Sequence, residues 1–273
     1  MKRLGATIWI NAALLFVVAL TIFPLFWMVS VSLMPAGTSS SFPPPLVPEH
    51  PTLDNYRALF LHAGMGRRFA NSLGLSVGAT VLSLVFNVSA GYAFAKLRFQ
   101  GREQIIRLLL GALVIPAQVA MLPLFLMLKM LGLVNTYAGV LIPSLAGIFS
   151  IFLVRQYAAS LPDELLEAAR IDGASEVRIF TRIVVPLLKP ILVTLAVFSF
   201  LGTWNDFLWP LIVLNDGQLY TLPVALASLS REHVQDSELM MAGSVVTVLP
   251  VLLVFLALQR HYMQGLLSGA VKG

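Results

Sequence analysis

Five acids and four bases crowd the stretch from Asp163 to Lys189: Asp163, Glu164, Glu167, Asp172 and Glu176 against Arg170, Arg178, Arg182 and Lys189. The chemistry such a set offers is ion pairing and docking. Glu167 and Arg170, three residues apart, share a helix face and can pair with each other or with a partner. A second feature is Trp204-Asn205-Asp206-Phe207, which sets a carboxylate inside an otherwise apolar run. A third is Gln118, an amide close to Pro116 in another such run.

Other chemistry finds little foothold. No Lys is followed by Ser or Thr, so there is no phosphate-cradling G-x-x-x-x-G-K-[ST] loop. There is no G-x-G-x-x-G and no H-E-x-x-H. The four histidines (His50, His62, His233, His261) lack metal-ligand spacing. Without cysteine, disulfides and thiolate sites are unavailable. The chain reads as a non-enzyme with neither metal nor cofactor of its own. Any energy it uses comes from an ion gradient or from another subunit.

The elements that carry these residues follow from composition. The 273 residues are 58% hydrophobic and 11% charged, with mean hydropathy +0.86. A soluble domain carries about 25% charged residues, so this chain lacks the polar surface to cover a soluble fold. It reads as an all-α polytopic membrane protein, because helices keep the backbone satisfied in lipid. One domain, 1–273, is expected, with six transmembrane helices at about 8–31, 69–95, 106–128, 135–155, 185–214 and 240–260. Lys2 and Arg3 precede the first run as they would in a signal peptide. An h-region of about 7–15 residues is much shorter than this run, which is expected to stay as a span. Prolines 24, 116, 123, 143 and 250 interrupt the runs as packing kinks or hinges.

With the N-terminus inside, thirteen of the eighteen Lys and Arg residues fall on inner segments. The positive-inside rule therefore puts both termini and the charged stretch in the cytoplasm. The net charge of +5 is a topology signal and points to no nucleic acid. The outer segment Met34–Arg68 starts Pro-rich and extended. Thr52-Leu-Asp-Asn-Tyr56 then reads as a cap and a short surface helix. The outer segment Asn215–Leu239 is too short and too polar at its flanks to cross.

Asp206 lies roughly 12 Å deep at 1.5 Å per residue. A carboxylate at a span centre costs about 2.5–3.5 kcal/mol. It faces either a water-filled path or a buried partner such as Asn205, Gln118 or a backbone amide. Gln118 fits interhelical hydrogen bonding or a ligand contact. Gly91, Ala93 and Ala95 allow close helix approach. No chain of acids and histidines crosses the spans, which argues against a proton relay.

The charged stretch resolves into a helix, a break and a helix. Leu161-Pro-Asp-Glu164 suits a helix start, since proline fits the first turn and acids favour the positive end. Gly173 suits a left-handed stop. A second helix runs from Ser175 toward Pro186. The first helix is too short to hold alone and needs a surface to lie against. Ala168 and Ala169 give it a slim face, with Leu165 as anchor. A solvated loop held by its own salt bridges is the alternative.

Glu167-Ala-Ala-Arg-Ile-Asp-Gly-Ala174, with Phe180 and Pro186, resembles the EAA loop of ABC-importer permeases, here 160–184. Asn71-Ser72, Gly91-Tyr-Ala-Phe-Ala-Lys-Leu97, Trp204-Asn205-Asp206, Tyr220-Thr-Leu-Pro223 and the Ser268–Gly273 ending are similar to the smaller permease of maltose-type sugar importers. The resemblance implies a type I ABC importer permease fold and a binding-protein-dependent sugar importer of a bacterial or archaeal inner membrane. It implies a second homologous permease, two ATPase subunits holding ATP and Mg, an extracytoplasmic sugar-binding protein, a sugar substrate and surrounding membrane lipid. Glu164, Glu167, Ala168, Ala169, Arg170, Asp172 and Gly173 would couple to an ATPase. Gln118, Asn205 and Asp206 would lie toward the translocation path, although in this family the larger permease supplies most sugar contacts. The Asn215–Leu239 segment would meet the binding protein, and the C-terminal tail the ATPases. An ion-gradient-driven secondary transporter is the alternative, and it has only Asp206 to work with.

Overall fold

A computed structural model describes residues 2–232 and 236–270, with backbone alone for 2–6, 231–232 and 258–270. His233 and the last three residues of the Ser268–Gly273 ending lie outside the described residues. The described chain is helical, without strands. Its first helices are α1 (Lys2–Ser32), α2 (Asp54–Leu61), α3 (Met65–Lys96), α4 (Arg102–Ala112) and α5 (Ala117–Met130). There follow α6 (Tyr137–Leu141), α7 (Ile148–Ala159), α8 (Asp163–Ile171) and α9 (Glu176–Ile179). A π-helical turn (Phe180–Val184) leads into α10 (Val185–Leu187) and α11 (Lys189–Trp204). The chain ends with α12 (Leu208–Val213), α13 (Leu222–Glu232) and α14 (Ser237–Ala270).

Three apolar stretches are single helices long enough to cross a membrane: Thr7–Ser32, Met65–Lys96 and Ser237–Ala257. Three more are bent pairs. The bend is 107° between α4 and α5, 42° between Tyr137–Ser144 and α7, and 81° between Glu176–Leu187 and α11. Proline explains two of the breaks. Its ring clashes with the carbonyl four residues back and removes a donor. Pro116 sits four residues after Ala112, where α4 stops, and Pro190 four after Pro186, beside the 81° bend. Pro24, Pro123 and Pro250 stay inside their helices.

Contacts divide the chain into two compact units. The first holds Met1–Arg67 and Leu222–Pro250. In it α1 is exposed and apolar on every side until its last turns, the pattern of a lipid-facing span. Asn55 of α2 donates to the carbonyls of Ser32 and Met34 at 2.9 and 2.8 Å, satisfying groups left open where α1 ends. Thr52 caps Asp54 as its sequence suggests. The buried carboxylate of Glu238, at the start of α14, accepts the Ser39 N–H at 2.7 Å.

The second unit holds Arg68–Thr221 and Val251–Gly273. One of its cores joins Val88 and Tyr92 of α3, Val154 and Ala158 of α7, Leu166 of α8, and Ile179, Val184, Leu188, Ile191 and Leu195. The short α8 is thus packed on the same core as the apolar helices. A second core gathers Leu75, Leu128, Val140, Trp209, Val213 and Leu214. Asn71 ties segments of this unit together. Its amide donates to the carbonyls of Gln218 and Tyr220, and its oxygen accepts the Tyr137 hydroxyl at 2.7 Å.

At Gly91, α3 and α7 approach closely. A Cβ there would lie 2.5 Å from Val154 Cβ and 2.9 Å from the Ile151 carbonyl oxygen. Gly91→Ala is expected to cost about 1–3 kcal/mol through overpacking, read as a lower unfolding temperature in detergent. Gly74→Ala, on the same helix with nothing within 4 Å, leaves that temperature unchanged. Equal melting of the two single variants would contradict the close approach.

Candidate functional site

The charged stretch folds as its residues dictate. Pro162 takes the cap position before α8, and Asp163 and Glu164 occupy the first turn at the positive helix end. At the other end Ala174 N–H donates to Ala169 O and Gly173 N–H to Arg170 O, each at 3.0 Å. This is the paired Schellman closure, and it needs a left-handed residue. Gly173 supplies it with φ +78°. A Cβ at Gly173 would meet nothing within 4 Å, so the requirement is purely one of backbone. Ser175 then caps α9 by accepting the Arg178 N–H at 3.4 Å.

Three ties hold α8 against its unit. Leu166, 1% exposed, enters the core; full burial of such a side chain stabilises by about 1.5–3 kcal/mol. Lys96, at the end of α3, donates to the Asp163 carboxylate and to the Leu161 carbonyl, both at 2.6 Å. The Lys96 side chain is 6% exposed, that of Asp163 73%. By this hydrogen bond and its charge, Lys96 holds the Asp163 carboxyl below its ordinary range. Arg170 reaches across the glycine turn to Glu176, with Nε 2.6 Å from Oε1. The Tyr92 hydroxyl of α3 donates to the other carboxylate oxygen at 3.2 Å. The Glu176 carboxylate, chiefly by its hydrogen bond, pushes the Arg170 guanidinium pKa still higher. Arg170 therefore pairs with Glu176 of this chain, where the spacing had offered Glu167 or a partner.

The opposite face of α8 is exposed among the described residues. Leu165, Ala168 and Ile171 are exposed there, Ile171 at 86%, and Val177 of α9 at 72%. Glu164, Glu167 and Asp172 are exposed and form no salt bridge among the described residues. Ala169 lies inward, half-buried against the core. Sequence reasoning passed over Ile171 and Val177. Beside α8 a cleft of about 740 Å³ is lined by Lys96, Arg98, Arg102, Asp163, Glu167 and Arg170 among others. The stretch can dock a partner through an apolar strip rimmed by charge.

Asp206 sits in the break between α11 and α12. Its Oδ1 accepts the Trp209 N–H at 3.3 Å, capping α12. It also lines two cavities, of about 280 and 370 Å³. Asn205 is exposed and its amide bonds the Leu201 carbonyl of its own helix. Gln118 is exposed in the first turn of α5. Neither hydrogen-bonds Asp206. Around Asp206 are instead Ser83, Asn87, Ser144, Ser150, Ser199 and Thr203. Their signal was present as spacing: Ser76, Thr80, Ser83 and Asn87 fall on one face of α3, and Ser199, Thr203 and Asp206 continue the same step. The spelling Gly74-Leu-Ser-Val-Gly78 fits the G-x-S-x-G of a nucleophile elbow. Ser76 lies buried in mid-helix, without the strand-to-helix turn that motif requires.

Comparison with known proteins agrees with this architecture. Residues 88–267 match the family described as binding-protein-dependent transport system inner membrane component. The chain is 40% identical over 265 residues to the arabinooligosaccharides transport system permease protein AraQ of Halalkalibacterium halodurans, covering 94% of each. It is 35% identical over 254 residues to the lactose transport system permease protein LacG of Rhizobium radiobacter, covering 93% of this chain and 92% of that one. Among solved structures, it matches a chain of a bacterial ABC transporter involved in the import of the acidic polysaccharide alginate. That match has TM-score 0.84 at 24% identity and covers 95% and 98% of the two chains. A second match is a chain of the bacterial alginate ABC transporter in complex with an alginate pentasaccharide-bound periplasmic protein, with TM-score 0.66 at 16% identity over 93% and 94%. The all-α fold with up to six membrane-crossing segments is thus that of an ABC importer permease. On the match of most of its length, the chain belongs to the binding-protein-dependent transport system inner membrane components.

Proposed function

We propose that the chain is the transmembrane permease subunit of an ATP-driven sugar importer. It would form the translocation path with a second homologous permease, receive sugar from an extracytoplasmic binding protein and be driven by two ATPase subunits. ATP and Mg would be held on those ATPases. Several relatives are named for di- and oligosaccharides, so sugars of that size are the first candidates. Both termini would be cytoplasmic in the inner membrane of a bacterium or archaeon, in keeping with the inner bias of Lys and Arg.

The observation that carries the coupling role is the two-sidedness of α8. One face is tied by Leu166, Lys96–Asp163 and Arg170–Glu176, while the other offers Leu165, Ala168 and Ile171 beside unpaired Glu164, Glu167 and Asp172. In this reading an ATPase cleft receives the exposed strip. Movement of the ATPases reaches α3 and α11 through the tied face, because packed elements transmit displacement. Ala169 contributes as the inward packing residue, and Arg170 and Gly173 as the fixings of the turn. An ion gradient as driving force is the competing mechanism. It predicts that uptake ends when the gradient is collapsed with ATP held constant.

In the assembled transporter, Ile171→Asp is expected to weaken ATPase docking about tenfold, the effect of losing ~1.4 kcal/mol at an interface anchor. Glu167→Ala and Gly173→Pro should leave the chain in the membrane but lower uptake and stimulated ATP hydrolysis together, since proline cannot adopt the positive φ of Gly173. Unaltered transport in all three would remove the docking role. The chain has no cysteine, so orientation is readable from single cysteines. A membrane-impermeant maleimide should reach Asn215→Cys in intact cells and Gln100→Cys only after permeabilisation; the reverse pattern would overturn the topology.

A further inference from the structure

We propose that the groove around Asn87 and Asp206 is a sugar-contacting subsite contributed by this chain itself. The inference rests on the transport reading above and adds which residues meet the substrate. Asn87 is 4% exposed and lines the cavity of about 280 Å³. Its Oδ1 accepts the Gly147 N–H at 2.9 Å, which fixes the amide orientation. Its Nδ2 is not one of the fully buried side-chain atoms that lack a partner, so this amide nitrogen stays accessible from the cavity that Asn87 lines. An amide held in one orientation at a cavity wall can offer its N–H groups to an acceptor inside that cavity.

The surrounding groups suit a polyol. The hydroxyls of Ser83 and Ser199 lie 2.8 Å apart, and Ser83 is itself 4% exposed. Each hydroxyl can donate and accept. Ser150 and Thr203 add further hydroxyls, and Asp206 adds a carboxylate that only accepts. The adjoining cavity of about 370 Å³ shares Ser144, Thr203 and Asp206 but is otherwise lined by groups such as Met121, Leu124, Val140 and Trp209. A few placed polar groups beside an apolar wall is the usual build of a small-molecule site. A sugar ring presents the same two surfaces, hydroxyls at its edge and C–H groups on its faces. No base lines either cavity among these residues, which favours a neutral sugar over an anionic one. Asn205, whose amide is used on its own helix, and Gln118 are not assigned to this subsite.

The test uses the complete transporter in proteoliposomes, with its partner permease, ATPases and binding protein, and labelled arabinotriose, lactose and raffinose as probes. Asn87→Asp keeps the acceptor for Gly147 and removes the donors. Ser199→Ala removes one hydroxyl with little change in shape. The reading is sugar carried per ATP hydrolysed. The subsite predicts that this ratio falls about tenfold in Asn87→Asp and about threefold in Ser199→Ala, as expected for lost buried hydrogen bonds. A packing role would lower uptake and hydrolysis together with the ratio unmoved, and would overturn the proposal. ATP-driven uptake indifferent to both variants overturns the subsite alone. Absence of ATP-driven uptake of all three sugars in the unmodified transporter overturns the transport reading, and the subsite with it.

Discussion

The Lys96 ammonium, almost wholly buried at the end of α3, is the fixed point of this unit. It binds the Asp163 carboxylate and the Leu161 carbonyl just where the chain leaves α7 and enters α8. A nine-residue helix facing water has too few internal hydrogen bonds to hold itself. Its geometry is therefore borrowed from the apolar helices, through Lys96 at one end and the Arg170–Glu176–Tyr92 bridge at the other. Both ties end on α3, so α8 is set by the helix that also carries Gly91, Ser83 and Asn87. The exposed strip of α8 and the polar groove are consequently both anchored on α3.

A second constraint comes from lipid, where every backbone group must find a partner within the protein. Three of the apolar segments are broken, and each break exposes amides that a straight helix would have used. Polar side chains satisfy amides at one of these breaks and at other helix starts: Asn87 accepts from Gly147 just before α7, Asp206 from Trp209 at the start of α12 and Thr136 from Gly139 at the start of α6. Asn135 does the same for the amides of Asn215 and Asp216 beyond α12. Bending the segments thus draws polar atoms to the places where cavities open. The polar groove follows from how these helices are broken as much as from its own residues.

The sequence made the class, the apolar segments and the helix–Gly173–helix shape of the charged stretch legible, because each depends on local rules. Hydropathy finds an apolar run without its neighbours, and only a glycine readily takes φ +78° after Ile171. What escaped depends on contacts distant in sequence. The spacing leaves Arg170 free to pair with Glu167 or with a partner, since nothing local says that the turn at Gly173 brings Glu176 back. Ala168 and Ala169 are alike in sequence, and only the position of the core makes one outward and the other inward. Asn205 and Asp206 are neighbours, yet the end of α11 uses the first on its own carbonyls and turns the second to a cavity. Asn87 drew no attention because a lone amide in an apolar run has no signature until the spacing of Thr80 and Ser83 is set beside it.

The central claim is that the exposed strip of α8 seats in an ATPase. It is tested most directly by a photoreactive benzophenone maleimide placed on Ile171→Cys, which this cysteine-free chain allows without further change. Illumination of membranes containing the assembled transporter should yield a covalent adduct between this chain and the ATPase subunit, recovered by size and by ATPase antibody. An adduct with lipid alone, or with no protein while the transporter remains assembled and active, would contradict the account.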